Sequence, residues 1–143
     1  MSVVIEGLEE SVLALTMKAS MVDYQVRLAV MAGAEEVKND AVESIMRGTK
    51  SGISYKKGGV THTASAKGEA PASDTGRLAN SILSLRNISD SNTYLVGSNV
   101  TYGKFLEFGT KDIEPRPWLI PSLEKNRAYI NRIVTTAIKD STK

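Results

Sequence analysis

"LEESVLALTMKASMVDYQVRLAVMAGAEEVKNDAVESIMRG", residues 8–48, is the stretch on which the fold turns. Leu8, Val12, Leu15, Ala19, Val22, Val26, Ala29, Gly33, Val37, Ala41 and Ile45 recur at steps of three and four, the stripe of an amphipathic helix. Leu13, Met17, Tyr24, Leu28 and Met31 widen that face beyond a coiled-coil seam, so packing against a sheet is expected. Glu6, Glu9 and Glu10 lie where the positive end of the helix dipole favours carboxylates, and Gly48 ends the run. A break near Ser20-Met21 into two helices fits the same pattern. Before it, "SVVIEG" (2–7) reads as a short strand.

After Gly48 the periodicity disappears. Residues 48–73, "GTKSGISYKKGGVTHTASAKGEAPAS", are rich in Gly, Ser, Thr and Lys and leave no room for a core. So long a loop is usually functional or disordered. We read it as a projecting arm or hairpin, with Gly58-Gly59 as its turn. A short helix follows Asp74-Thr75-Gly76, and then "ILSLRNI" (82–88) and "YLVGS" (94–98) alternate as two strands of a hairpin around "SDSNT". In "VTYGKFLEFGT" (100–110), Tyr102, Phe105, Leu106 and Phe108 are at helical spacing, and Gly109 suits a left-handed helix end. "KDIEPRPW" is extended by its prolines. Leu119, Leu123, Ile130, Ile133, Val134, Ala137 and Ile138 predict a last helix over about 118–139. The expected fold is a single α+β domain, 1–143. A small antiparallel sheet packs against a long N-terminal helix and a C-terminal helix, with the arm projecting at about 48–73.

Composition limits the chemistry. The chain has 143 residues, 41% of them hydrophobic and 24% charged, the ordinary range for a soluble domain. It has no cysteine, which excludes disulfides and thiolate ligands and fits a reducing compartment. No apolar run approaches the ~20 residues of a membrane span, so a soluble, cytoplasmically made chain is expected. The net charge of +2 is uneven: residues 1–47 carry eight acidic and four basic side chains, residues 48–72 carry four lysines against Glu69, and residues 73–143 carry ten basic and seven acidic. An acidic front and a basic back suit head-to-tail contact between copies or a surface facing an anion. Solvated faces without a partner would look the same.

Candidate catalytic groups are few. His62 is the only histidine and lies inside the arm, where solvation is the commoner role. No His, Asp or Glu cluster has metal-ligand spacing, and "GTKSGISYKKGG" does not supply a phosphate loop. No catalytic, cofactor-binding or metal residue is assigned. Asp74-Thr75-Gly76 has two readings. It matches the tripeptide of aspartic proteases, whose aspartate shares a proton with a second carboxylate, here one from a dimer partner. Equally, Asp74 or Thr75 accepts hydrogen bonds from the first turn of the helix that "GRLANSI" predicts. The missing apolar strand before Asp74 favours the cap. In the arm, Lys50, Lys56, Lys57 and Lys67, with Tyr55 and His62, form a candidate interaction surface. Phosphate attraction fits it and base-specific recognition does not.

Three ordered blocks then carry a resemblance. "APASDTGRLANSI", "NVTYGKFLEFGT" and "EPRPWLIPSLE" resemble the tail-completion, or head–tail joining, proteins of long-tailed bacteriophages. Gly7-Leu8-Glu9-Glu10 matches that family's opening, and Thr75, Gly76, Leu78, Ser81 and Ile82 match its second block. Tyr102, Gly103, Phe105, Leu106, Glu107, Phe108, Gly109 and Thr110 match the third, and Pro117, Trp118, Leu119, Pro121, Ser122 and Leu123 the last. The resemblance implies a non-enzymatic structural virion protein of the neck, without cofactor or membrane contact. It implies a homohexameric ring between the capsid connector or stopper and the tail terminator or tail tube, around the DNA passage, where non-specific DNA contact is possible. Asp74, Thr75, Gly76, Leu78, Tyr102, Glu107, Phe108, Gly109, Thr110, Pro117 and Trp118 are then structural. Glu107 is expected to pair with an arginine such as Arg77 or Arg116, or else to be exposed.

Overall fold

The computed structural model describes residues 7–143. The strand expected at 2–7 lies outside them except for Gly7. Helix α1 (Leu8–Arg47) runs unbroken for 40 residues, so Ser20-Met21 is no hinge. Two antiparallel hairpins follow: β1 (Ser54–Lys57) with β2 (Val60–Thr63), and β3 (Ile82–Arg86) with β4 (Tyr94–Ser98). A single-turn helix, α2 (Arg77–Asn80), precedes β3; α3 (Thr101–Phe108) and α4 (Ile120–Ser141) complete an α+β chain. The last helix therefore starts and ends about one-half turn later than its apolar spacing suggests.

Helices α1 and α4 are antiparallel, because Gly33 faces Ile130 while Asp40 meets Lys125 and Asn126. On another side of α1 the β3–β4 hairpin runs back along the helix. Its Ile82 end joins Ala41 and Ile45 in the core, and its turn reaches Asp23, whose Oδ1 accepts from Asn92 Nδ2 at 2.7 Å. The core is small and centred on the last third of α1. Ala41, Ile45, Leu78, Ala79, Ile82 and Trp118 are buried together, with Val42, Ala70, Val96, Leu106 and Leu119 packed around them.

The apolar stripe of α1 is thus only partly used. Buried positions begin at Gly33 and continue through Ala34, Val37, Ala41 and Ile45, whereas Leu8, Val12, Leu15 and Ala19 are exposed. Length explains the difference. At 1.5 Å per residue α1 extends ~60 Å and α4, with 22 residues, only ~33 Å. Neither α4 nor five-residue strands can cover a helix so long.

The arm is an ordered hairpin. Gly58 and Gly59 have φ of +58° and +82°, the paired left-handed conformations of a tight two-residue turn that only glycine adopts without strain. Gly52 N donates to Ala64 O at 2.9 Å and closes the base. Beyond that base the hairpin is fully or largely exposed.

Close helix packing yields a first prediction. A Cβ on Gly33 would come within 2.7 Å of Ile130 Cγ1. Gly33→Ala should gain ~1 kcal/mol of helix propensity but lose ~1–3 kcal/mol to overpacking, for a net loss in chemical denaturation. Paired with Ile130→Ala, which vacates the space, the same change should become stabilising relative to Ile130→Ala alone. Additive losses would show that the approach is not the constraint.

Candidate functional site

The three sequence blocks meet in one seam at the end of α1. Gly76, with φ of +73°, turns the chain into α2 and places Leu78 in the core. Leu78 Cδ1, Trp118 Cζ2 and Ser98 Oγ surround Gly103 at 3.2, 3.5 and 3.8 Å from where a Cβ would stand, so α3 packs closely here and a larger side chain would have to displace Leu78 and Trp118. Trp118 Nε1 donates to Gly103 O at 3.1 Å, and Ser122 Oγ donates to Trp118 O at 2.7 Å.

Glu107 locks the seam. Its Oε2 accepts from Trp118 N at 2.7 Å and Leu119 N at 2.9 Å, and its Oε1 accepts from Ile120 N at 2.9 Å. The side chain is buried and takes no arginine as partner, contrary to the expected pairing with Arg77 or Arg116. It stands at the N-terminus of α4, where unpaired amides and the helix dipole favour an anion. Pro121, in the first turn, has no N–H left to satisfy. Gly109 (φ +74°) ends α3, and a Cβ there would meet Ile113 O at 2.7 Å. Thr110 N donates to Ile113 O, while Thr110 Oγ1 accepts from Asp112 N and Ile113 N at 3.2 and 3.1 Å. Pro117 precedes Trp118 in this extended return. Tyr102 and Phe108 are exposed on α3.

Asp74 does not cap α2. Its N-cap residue is Gly76, which has no side chain to accept a bond, and Asp74 instead pairs with the Lys57 ammonium of the arm. That hydrogen bond holds the Asp74 carboxyl below its ordinary pKa and raises that of Lys57. Thr75 Oγ1 accepts only a long bond, 3.4 Å, from Arg77 N, and Ser73 Oγ accepts from Gly76 N at 3.1 Å.

The arm lysines divide by environment. Lys50 is a half-buried clamp: its Nζ donates to Ser44 O (2.9 Å) and Ala70 O (2.8 Å), tying the end of α1 to the returning chain. Burial lowers its pKa, with Glu69 opposing. Lys67 pairs with Glu114 at 2.9 Å. Lys56 has no ion pair among the described residues. Tyr55 stacks on its cross-strand partner His62, with centroids 5.7 Å apart.

Two important carboxylates escaped the sequence reading. Glu69 gathers the arm base by accepting from Ser51 Oγ, Ala66 N and Ser51 N, which hold it at a pKa of about 2. Asp40 accepts from Lys125 and Asn126 and joins α1 to α4. Burial raises its pKa, but the two hydrogen bonds outweigh that and the net shift is downward. Both look like ordinary surface acids in the sequence, and no spacing marks them. No group of three or more His, Cys, Asp or Glu among the described residues can hold a metal ion, and no described helix is long and apolar enough to cross a membrane.

Two predictions follow from this geometry. Glu107→Ala removes the acceptor of three amides, Trp118 N in the core and Leu119 N and Ile120 N at its edge, and should cost about 3 kcal/mol, a fall of roughly 10 °C in melting temperature. Arg77→Ala and Arg116→Ala should cost much less, and equal losses would restore an ion-pair role for Glu107. For Glu69 the folded pKa is depressed, so its contribution is complete above the ordinary 4.5 and fades as pH falls towards about 2. The protection of the Ser51 and Ala66 amides relative to the intrinsic exchange rate at each pH should fall across that window, and Glu69→Gln should abolish the step.

No curated protein and no solved structure significantly matches the chain. A family model does: residues 14–109 match the family described as "Bacteriophage HK97-gp10, putative tail-component". The match runs from the exposed half of α1 through the arm, both hairpins and α3 to Gly109, and it covers well over half of the sequence. By that match, together with the α+β architecture and the seam its motifs build, the chain belongs to the HK97-gp10-like family of phage tail components.

Proposed function

We propose that the protein is a structural virion component of the neck of a long-tailed phage. In this reading its copies form a ring, a hexamer by resemblance, that joins the capsid connector or stopper to the tail terminator or tube around the DNA passage. The observation that carries it, beyond family membership, is surface area. The chain exposes 10155 Å², whereas a compact monomer of 15.4 kDa would expose about 7,200 Å². The difference is of the size that a permanent assembly buries. On α1, Leu8, Leu13, Leu15, Met17 and Met21 are each more than half exposed, and no other described element covers them.

A dimeric aspartic protease fits the geometry less well. A shared-proton pair needs an aspartate raised towards protonation by a second carboxylate, but Asp74 is exposed and paired with Lys57.

The arm gives the test. Its ends are joined at Gly52 and Ala64, so replacing residues 54–63 with Gly-Gly should preserve the circular dichroism and melting of the isolated chain. In infected cells the same change should leave filled heads and complete tails unjoined. Normal joining would remove the hairpin from the function, and absence of the chain from purified virions would sink the neck reading itself. Asp74→Asn should release the hairpin without touching any peptide-cleaving activity; loss of such an activity would favour the protease.

A further inference from the structure

Among the apolar surfaces that the described residues leave uncovered, two lie far apart on the molecule. The first is a ridge on α1. Leu13, Met17, Met21, Tyr24, Leu28 and Met31 are all exposed, and they follow one another at helical spacing over ~27 Å. Towards the N-terminus Glu10 continues the same face, one turn before Leu13, with Glu9 beside it. The second is the outer face of α3. Phe105 and Phe108 are the only phenylalanines in the sequence, yet both face solvent, 44% and 68% exposed. Lys104 lies over the Phe105 ring at 5.6 Å, and Lys111 follows just beyond the helix.

The two surfaces match in character. One is methionine-rich, with Tyr24 its single aromatic and carboxylates at its end; the other is aromatic, with two ammonium groups at its edge against one carboxylate, Asp112. Aromatic anchors of this kind dominate interface energetics, and methionines pack adaptably around them. They cannot meet within one chain. Helix α3 packs through Gly103 on Leu78 and Trp118, beside Ile45 in the core, and Ile45 is ~48 Å along α1 from Leu13. The outer face of β3–β4, with Leu83, Leu85 and Leu95 exposed, is the other apolar seat. It offers one cation, Arg86, with Asp90 at its turn, and so answers the two glutamates less well.

We infer that copies of the chain associate head to tail, with the outer ridge of α1 from one copy seated on the Phe105–Phe108 face of α3 from the next. This rests on the ring reading and supplies its contact. Each copy offers one ridge and one aromatic face, so the interface is heterologous and propagates until rotation closes it. The exposed area in excess of a compact monomer is enough for two such contacts per copy.

The absence of native cysteine makes the contact directly testable in the full-length chain. With M17C and F105C together, mild oxidation should give a ladder of linked copies that stops at the ring number. Each substitution alone should give no linked species. A dimer from M17C alone would mean that ridge packs on ridge, and a ladder from M17C with L85C but not with F105C would mean that the hairpin is the seat; either overturns the proposal. K104E with K111E should weaken association, and E9K with E10K in the same chain should restore it. Failure of that exchange would overturn the charge pairing. The native mass of the unmodified protein separates the two levels. A ring without the M17C–F105C ladder removes this contact and leaves the ring reading standing, while a chain that is monomeric alone and absent from isolated necks removes both.

Discussion

One buried carboxylate holds the second half of this protein in place. Glu107 accepts from three backbone amides at the start of α4, and no other described side chain bonds to them. Burying a charge is costly by itself, but three charge-assisted hydrogen bonds and the positive helix end offset that cost. The consequence is directional. Because α3 carries the carboxylate and α4 begins on it, the path from Gly109 to Pro117 must turn back on itself. That return puts Trp118 on Gly103 and against Leu78, Ala41 and Ile45. The match of α4 to α1 then depends on where α4 begins, and Asp40 with Asn126 and Gly33 with Ile130 extend the alignment along the pair.

Residues that look like motifs in the sequence are explained by this local geometry. Gly76 and Gly109 supply positive φ, Gly103 a close approach, Trp118 the apolar mass with an indole N–H that finds a carbonyl. None of these requirements concerns a reacting group. The Asp-Thr-Gly tripeptide illustrates the point. Its aspartate holds an arm lysine, its glycine opens α2, and the two roles adjoin because the arm re-enters the body there.

What was legible beforehand follows from which interactions have a signature in side-chain order. Helical spacing marks α1, α3 and α4, alternation marks β3–β4, and Gly58-Gly59 marks the arm turn, because each depends on local periodicity or backbone freedom. Partners across space were not legible. Glu107 was expected to meet an arginine because arginine has a letter in the sequence and a free amide has none. Lys50 was grouped with solvent-facing lysines, although two carbonyls surround it. The stripe of α1 keeps the same period through its covered and bare parts, so nothing in the spacing shows that partial cover begins at Val22 and full burial only at Gly33.

The clamp at the root of the arm has a further consequence. Lys50, Glu69 and the Gly52–Ala64 bond fix both ends of the excursion before the hairpin begins. What lies beyond them is thermodynamically a loop whose closure is already provided for. Doubling the length of such a loop costs only about 0.6 kcal/mol. The arm can therefore lengthen, shorten or change its tip over evolutionary time with little effect on the seam below, and its reach can be matched to whatever surface it meets.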